Sequence, residues 1–412
     1  MIDTTQTRTV RDISFADPAF LADPWTDLLR LQQEAPIFWS DNQRGWIISR
    51  HEDVKAAFSD RRLSSARGSQ LFGGLSDELR QRLSETIKFN ALNVNRLDGR
   101  DHIRIRTLLM KAFSNGSVRA ITPAIRSITD TLLARMEVLR EFDFVRQVSA
   151  VLPTKVIQHM LGIPDSNSEQ LFTLASNFTA ATGAATVTPE LLLRLDDSIR
   201  TMNHIFSDLI AERQAAPRDD MISALVHARD GLNRLDGDEL LACLHSIIVA
   251  GVETTAHSLA NGLVELVRHP EVATQVEGNE ERALPVVTEM LRYPGTTKCM
   301  TRLAGEDFDW HGHEIKKGDL VWIMIAGANL DPEVFADARS LQPDRDNSAA
   351  MSFGPGLHHC VGHLLTRTEQ AVFFARAFER FRITLLSDDL SFHPSYIFRG
   401  YRELPVRFEA KA

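Results

Sequence analysis

One ten-residue stretch limits the possible folds more than any other: Phe353-Gly354-Pro355-Gly356-Leu357-His358-His359-Cys360-Val361-Gly362. It is a glycine-broken loop that delivers one cysteine to the start of an amphipathic helix. The apolar face of that helix runs through Leu364, Leu365, Ala371, Phe373, Phe374, Ala377 and Phe378. A helix N-terminus presents unpaired N–H groups and partial positive charge, and both favour a thiolate over a thiol. Gly354, Gly356 and Gly362 let backbone approach the sulfur closely. A thiolate held this way is a strong ligand for a soft or borderline metal. The plainer alternative is a buried, inert cysteine. Zinc is another, since His358, His359 and Cys360 sit together, but zinc wants a second cluster at ligand spacing, and Cys243 and Cys299 stand alone.

With 412 residues and 43% hydrophobic content the chain can bury a sizeable core, and length alone suggests two or three domains. A net charge of −9, from 46 basic and 55 acidic residues, argues against a nucleic-acid partner. Three cysteines without a pairing pattern point to a reducing compartment. Residues 1–12 are polar, and no run approaches the roughly 18 apolar residues of a spanning helix. The expectation is a soluble, cytoplasmic protein that does not engage a membrane.

Taken in order, the chain alternates helices with short strands. Pro24 to Glu34 and His51 to Phe58 have helical spacing, and between them Ile37-Phe38-Trp39 and Gly45 to Ile48 read as a hairpin. Leu63 to Leu97 is mixed, polar and glycine-bearing, and reads as a long loop. Helices follow at Asp98–Ser114, Phe144–Gly162, Leu171–Ala181 and Leu191–Gln214, with a small-residue link, Thr182 to Pro189, that would suit a lid. Asp236 to Arg268 is the longest uninterrupted helical stretch, about 30 residues and roughly 45 Å. Its middle is apolar all round, yet it holds Ala250-Gly251-Val252-Glu253-Thr254-Thr255. Glycine there costs about 1 kcal/mol against alanine, a buried carboxylate needs a partner, and threonine can bond back to an i−4 carbonyl and bend the helix. The combination reads as a groove: Ala250 and Gly251 make room, Thr254 offers a hydroxyl and Glu253 a proton. Ala283–Tyr293 is a further helix with Glu289 and Arg292 three apart, Thr296–Thr301 reads as a strand, and Phe308–Ala328 as a small antiparallel sheet. Ser391–Arg407 is strand-like. No repeats or linkers appear.

The order Phe-Gly-x-Gly-x-His-x-Cys-x-Gly, six fixed positions in ten, resembles the ligand loop of the cytochrome P-450 family. Thr366 stands where that family often has alanine. Ala250-Gly251-Val252-Glu253-Thr254 is similar to its oxygen-binding segment, and Asp98 to Arg106 to the helix whose His and Arg bind a haem propionate, with Gly99-Arg100 replacing a frequent Pro-Pro. These motifs run from His102 to about Gly400, so the resemblance implies one domain over 1–412, mainly α with small β-sheets, a long central helix over the haem and the cysteine loop on the opposite face. It implies heme b with Cys360 as axial ligand, and His102, Arg106, Arg302, His358, Phe353, Gly354 and Gly251 around it. It implies Thr254 and Glu253 as the catalytic pair, and Glu289 with Arg292 buttressing the loop, completed by Arg345 or by Arg339. Pocket candidates are Phe89, Asn90, Leu92, Ile247, Ala250, Thr297, Ile397 and Phe398. Lys298, unusual in a mostly apolar wall, is expected to turn its head to solvent.

The implied activity is insertion of one oxygen atom from O2 into a small, largely apolar substrate, by hydroxylation or epoxidation. No strand-linked Gly-x-Gly-x-x-Gly marks a flavin or nicotinamide domain, so electrons should come from a separate ferredoxin or flavodoxin docking near Arg100, Arg104, Lys111 and Arg367, in a salt-sensitive contact. A monomer is expected. The competing readings are a non-catalytic haem-thiolate sensor, disfavoured by Gly251 beside Thr254, and a peroxide-driven or oxidative-coupling enzyme, disfavoured by the acid–alcohol pair.

Overall fold

In the computed structural model the described residues are 9–68, 72–184 and 187–411. Two long antiparallel partners, helices Ser168–Gly183 and Pro189–Ala215, cover one end of the central helix, and helices Asn115–Leu139, Glu280–Arg292 and His363–Arg380 pack together at the other. One large apolar cluster runs through all of these helices. A five-stranded sheet flanks them, in the order Ile37–Ser40, Gly45–Ile48, Leu320–Ile323, Met300–Ala304, Leu63–Ser64, with one parallel pair, 45–48 against 320–323. A second sheet joins Glu141–Asp143, Pro405–Ala410 and Phe381–Leu385.

The hairpin at 37–48 forms as the alternation predicts, Ile37 facing Ile48 and Ser40 facing Gly45. The reading of 308–328 as one sheet is corrected. Phe308–Trp310 and His313–Ile315 make a separate hairpin, while Leu320–Ile323 is buried between two strands of the large sheet. The strand expected at 296–301 starts only at Met300, and Thr297 meets Phe398 in an isolated bridge.

Within Leu63–Leu97, residues 69–71 lie outside the described residues, and the rest is not one long loop: it holds helices Asp77–Arg82 and Ser84–Leu92 and a 3-10 turn at Val94–Arg96. Their hold is tertiary and capping chemistry that periodicity does not reveal. Ser76 caps the first through Leu79 N–H, and the buried Asp196 carboxylate accepts from Thr86 N–H at 2.9 Å and its hydroxyl at 2.7 Å. In the Thr182–Pro189 link, residues 185 and 186 lie outside the described residues.

The central helix is two helices, Gly237–Gly251 and Glu253–Arg268, meeting at Val252. Asp236 opens it with a capping box to Glu239. Against the sequence expectation, 237–268 does have the length and apolar composition of a membrane span, but 72% of its most apolar window is buried inside the fold, as in a core helix.

Candidate functional site

Cys360 ends the glycine loop, its N–H donating to the Phe353 carbonyl at 2.9 Å. Gly354 and Gly356 have φ of +66° and +77°, a left-handed backbone that side chains rarely adopt. The helix after the loop starts at His363, three residues beyond the sulfur. The sulfur is crowded by protein, and burial pushes its thiol up. The Gly362 N–H and the Arg106 and Arg367 guanidiniums pull the other way. The expected helix-terminus effect is thus outweighed in the protein alone, and a thiolate here calls for a metal to balance it.

On the facing side, Ala250 is exposed and Gly251 and Thr254 are half-exposed, in a helix pair otherwise almost entirely buried. Thr254 donates its hydroxyl to the Ala250 carbonyl at 2.6 Å, which occupies that carbonyl just where the helix breaks. Gly251 serves a different purpose from the one expected. A Cβ there would lie 2.8 Å from Ile157 Cδ1, so the glycine allows close helix contact and Ala250 alone leaves the groove open. Glu253 is only 8% exposed and faces the hydroxyls of Thr179 and Ser176, with His257 Nε2 3.9 Å away. Burial raises its pKa and those hydroxyls oppose the rise. Two side-chain bonds fix the two halves to each other: Thr255 meets Thr366 at 3.2 Å, and Ser258 donates to Gln370 at 3.0 Å. Thr366, the departure noted above, is one of these bolts.

Between the loop and the groove stand hydrogen-bond donors short of acceptors. His102 is 1% exposed, neither ring nitrogen has a partner, and it stacks on His358 with centroids 3.9 Å apart. Burial, then the charges of His358 and Arg106, push it down to about 4. Arg302 is buried over the Phe58 ring, reaching only the Thr301 carbonyl, and Arg106 donates to the His359 carbonyl. Orphaned buried donors of this kind fit the two carboxylates of a haem, and the cysteine supplies its iron ligand.

Behind the loop, Arg292 binds Glu289 through two bonds, 2.8 and 2.6 Å, with both side chains fully buried. Arg345 completes the group at 3.1 Å, whereas Arg339 reaches only Thr26. Other residues lie differently from expectation. Lys298 is 2% exposed, donating to the Ser395 carbonyl at 2.6 Å beside Phe20, and burial brings it down to about 8; it is not solvated because the N-terminal helices cover it. Phe89 is a core residue against Phe178 and His245, Asn90 is buried, and Leu92 packs on the core. Ile397 leans on the N-terminal cluster, which leaves Phe398 and Thr297, half-exposed, and the largely buried Ile247 for a pocket wall. His257, which closes on Glu253, was missed, though its i+4 spacing was visible.

The family model described as Cytochrome P450 matches residues 42–395. The polyketide biosynthesis cytochrome P450 PksS of Bacillus subtilis is 31% identical over 94% of this chain and 96% of its own. Among solved structures, epothilone D-bound cytochrome P450epoK superposes with TM-score 0.88 at 27% identity, covering 97% of this chain and 100% of that one. P450BioI in complex with acyl carrier protein ligated to hexadec-9Z-enoic acid gives 0.87 at 26%, covering 95% and 99%. A matched family model over most of the chain, together with a cysteine loop facing an opened helix, makes this protein a member of the cytochrome P450 family, a haem-thiolate monooxygenase.

Proposed function

We propose that the enzyme inserts one oxygen atom from O2 into a C–H or C=C bond of a small, largely apolar substrate, with electrons from a separate ferredoxin or flavodoxin-type protein. What carries the reading is the opening at Ala250 and Thr254, which lets a substrate and O2 lie on the face of the central helix. Cys360 would hold haem b through its sulfur, and the haem would supply the oxygen-activating chemistry.

The chain's own residues do the rest. Arg302 and Arg106 would neutralise the haem carboxylates and His102 and His358 would help to orient them, while Arg106 also braces the loop through the His359 carbonyl. Thr254 presents its hydroxyl at the opening. Behind it, Glu253 keeps its proton to higher pH than a free carboxyl, as a general acid requires. Ile247, Thr297 and Phe398 form the wall, the last two joined by a backbone bridge. Relatives named for polyketide biosynthesis and for epothilone support a natural-product or acyl substrate.

The electron donor docks on the face of helix Gly99–Ala112, where exposed Ile103, Met110 and Leu357 surround a recess of about 530 Å³. Arg104 is tied to Glu239, Lys111 to Asp230 and Arg106, which lines the recess, to the His359 carbonyl, so that of the expected docking cations Arg100 and Arg367 are the ones without an ion pair among the described residues. The contact is therefore more apolar, and less salt-sensitive, than the sequence implies. The free cysteines Cys243, Cys299 and Cys360 support a reducing, cytoplasmic location, and the proposed enzyme is a monomer of one domain. The test is a screen of apolar acyl and polyketide-like ligands for the low-spin to high-spin absorbance shift, followed by turnover under labelled O2. One labelled oxygen in the product is expected. A product carrying oxygen only from water would overturn the proposal.

A further inference from the structure

An acid that gives up its proton at the groove must be recharged before the next turnover. Glu253 is only 8% exposed, and Thr254 stands between it and the opening. One turn further along the same helix face lies His257, 9% exposed, with Nε2 3.9 Å from the Glu253 carboxylate. A small rotation of either side chain closes that gap to a hydrogen bond. The other ring nitrogen looks the opposite way. Nδ1 lies against Gly400, where any Cβ would collide with it, so only glycine leaves room for the ring. Asn261, one turn past His257, donates to the Arg399 carbonyl at 3.1 Å and to the Gly295 carbonyl at 2.9 Å, which bolts the helix to that turn. Across the turn, the His393 N–H donates to the Gly400 carbonyl at 2.9 Å, and Phe392 pairs with Tyr401. The His393 ring is thereby set beside His257, centroids 5.5 Å apart, and it is exposed to solvent. Glu253, His257 and His393 form a file from the back of the groove to the surface.

A neutral imidazole donates from one nitrogen and accepts at the other, so it passes protons in line. Burial, then the charge of His393, pushes His257 down to about 3, and it stays neutral in ordinary solution. Partial burial, then Arg402, brings His393 down as well. The charged groups at the file are Glu253 at its inner end and Arg402 at its outer end, the latter donating to the Phe392 carbonyl at 3.0 Å. Arg399 is turned instead to the Asn261 side chain and the Phe392 ring. Ser176 and Thr179, on helix Ser168–Gly183, meet Glu253 from the other side and are the competing way in.

We propose that His257 and His393 are a proton relay that recharges Glu253 from solvent. His257 passes its Nε2 proton to the Glu253 carboxylate and takes one at Nδ1 from His393, which water reprotonates. A flip of the His257 ring restores its starting tautomer. The net change is one proton moved from solvent to Glu253, with no lasting change of charge at either imidazole. Both histidines are positioning residues that act through Glu253. The inference rests on the role of Glu253 in the monooxygenase reading and deepens it.

The test uses resting holoenzyme, without substrate or electron donor. The infrared carboxylic-acid band of Glu253 is identified by its loss in Glu253→Gln, and its shift after rapid mixing into D2O gives the exchange rate. His257→Asn and His393→Gln should each slow that exchange about tenfold or more. Mere loss of packing acts in the opposite sense, because it admits water and speeds exchange. His393 is at the surface, so its variant decides the matter if His257→Asn fails to fold. Unchanged or faster exchange in either folded histidine variant overturns the proposal, and slowing in Ser176→Ala instead would assign the path to the hydroxyls. Absence of a Glu253 acid band in mildly acidic solution overturns it too. Because the readout involves no turnover, the relay can fail while the monooxygenase reading stands, and the carbon-monoxide spectrum tests that reading by itself.

Discussion

Thr254 and Glu253 are sequence neighbours with opposite surroundings, one at an opening and the other against Ser176 and Thr179. That arrangement suits an acid that feeds protons to an alcohol from behind. Glu253→Gln and Thr254→Ala should each raise peroxide release at the expense of product, read by paired peroxide and product assays; unaltered coupling in both would remove their roles. Because burial raises the Glu253 pKa, with neutral His257 as its only titratable neighbour within 4 Å among the described residues, the donor form is lost as pH rises through that raised value. Native coupling should therefore fall with rising pH, and the Gln variant should lose that dependence. Glu369 is a second buried carboxyl, 1% exposed, one oxygen unpartnered, and lifted by burial to about 8. Its folded pKa lies above the unfolded value, so its contribution is full below the ordinary carboxyl range and is lost as pH climbs toward 8. Glu369→Gln should melt close to the native holoenzyme at pH 5 and above it at pH 8. Equal melting shifts at both values would show that the carboxyl is not held neutral.

The broken central helix illustrates how a small residue can be misread at the level of one element. Ala-Gly within a buried helix suggested room for a ligand on both counts, yet the Gly251 hydrogen points at Ile157 on helix Val151–Leu161. Gly251→Ala must displace the Ile157 Cδ1 methyl but gains about 1 kcal/mol of helix propensity, so it should destabilise by no more than about 1 kcal/mol. The double variant Gly251→Ala/Ile157→Val should recover much of the loss in a denaturant titration. If Gly251→Ala alone leaves stability unchanged and instead blocks ligand binding, the groove reading of Gly251 returns.

Across the whole molecule, the Glu289–Arg292–Arg345 group joins helix Glu280–Arg292 to the meander that leads into the cysteine loop, with Arg292 also donating to the Asn329 and Ala338 carbonyls. Arg292→Ala strands a buried carboxylate and should cost about 3–5 kcal/mol. Arg345→Ala leaves Glu289 paired and should cost less; the order is read from melting and haem retention, and the reverse order would refute it. The cysteine loop, the groove segment and Glu289–Arg292 were legible because their chemistry is carried by residues close in sequence. The helices of 77–92 and the burial of Lys298 were not. Each depends on partners far along the chain, Asp196 and Ser395 among them, that no local pattern announces.

Everything above hangs on one sulfur. The most direct test is the absorption spectrum of the reduced carbon-monoxide complex of native and Cys360→Ser protein. The native protein should show the red-shifted Soret band of a thiolate-ligated haem and the variant should lack it. The same red-shifted band in both would contradict the assignment.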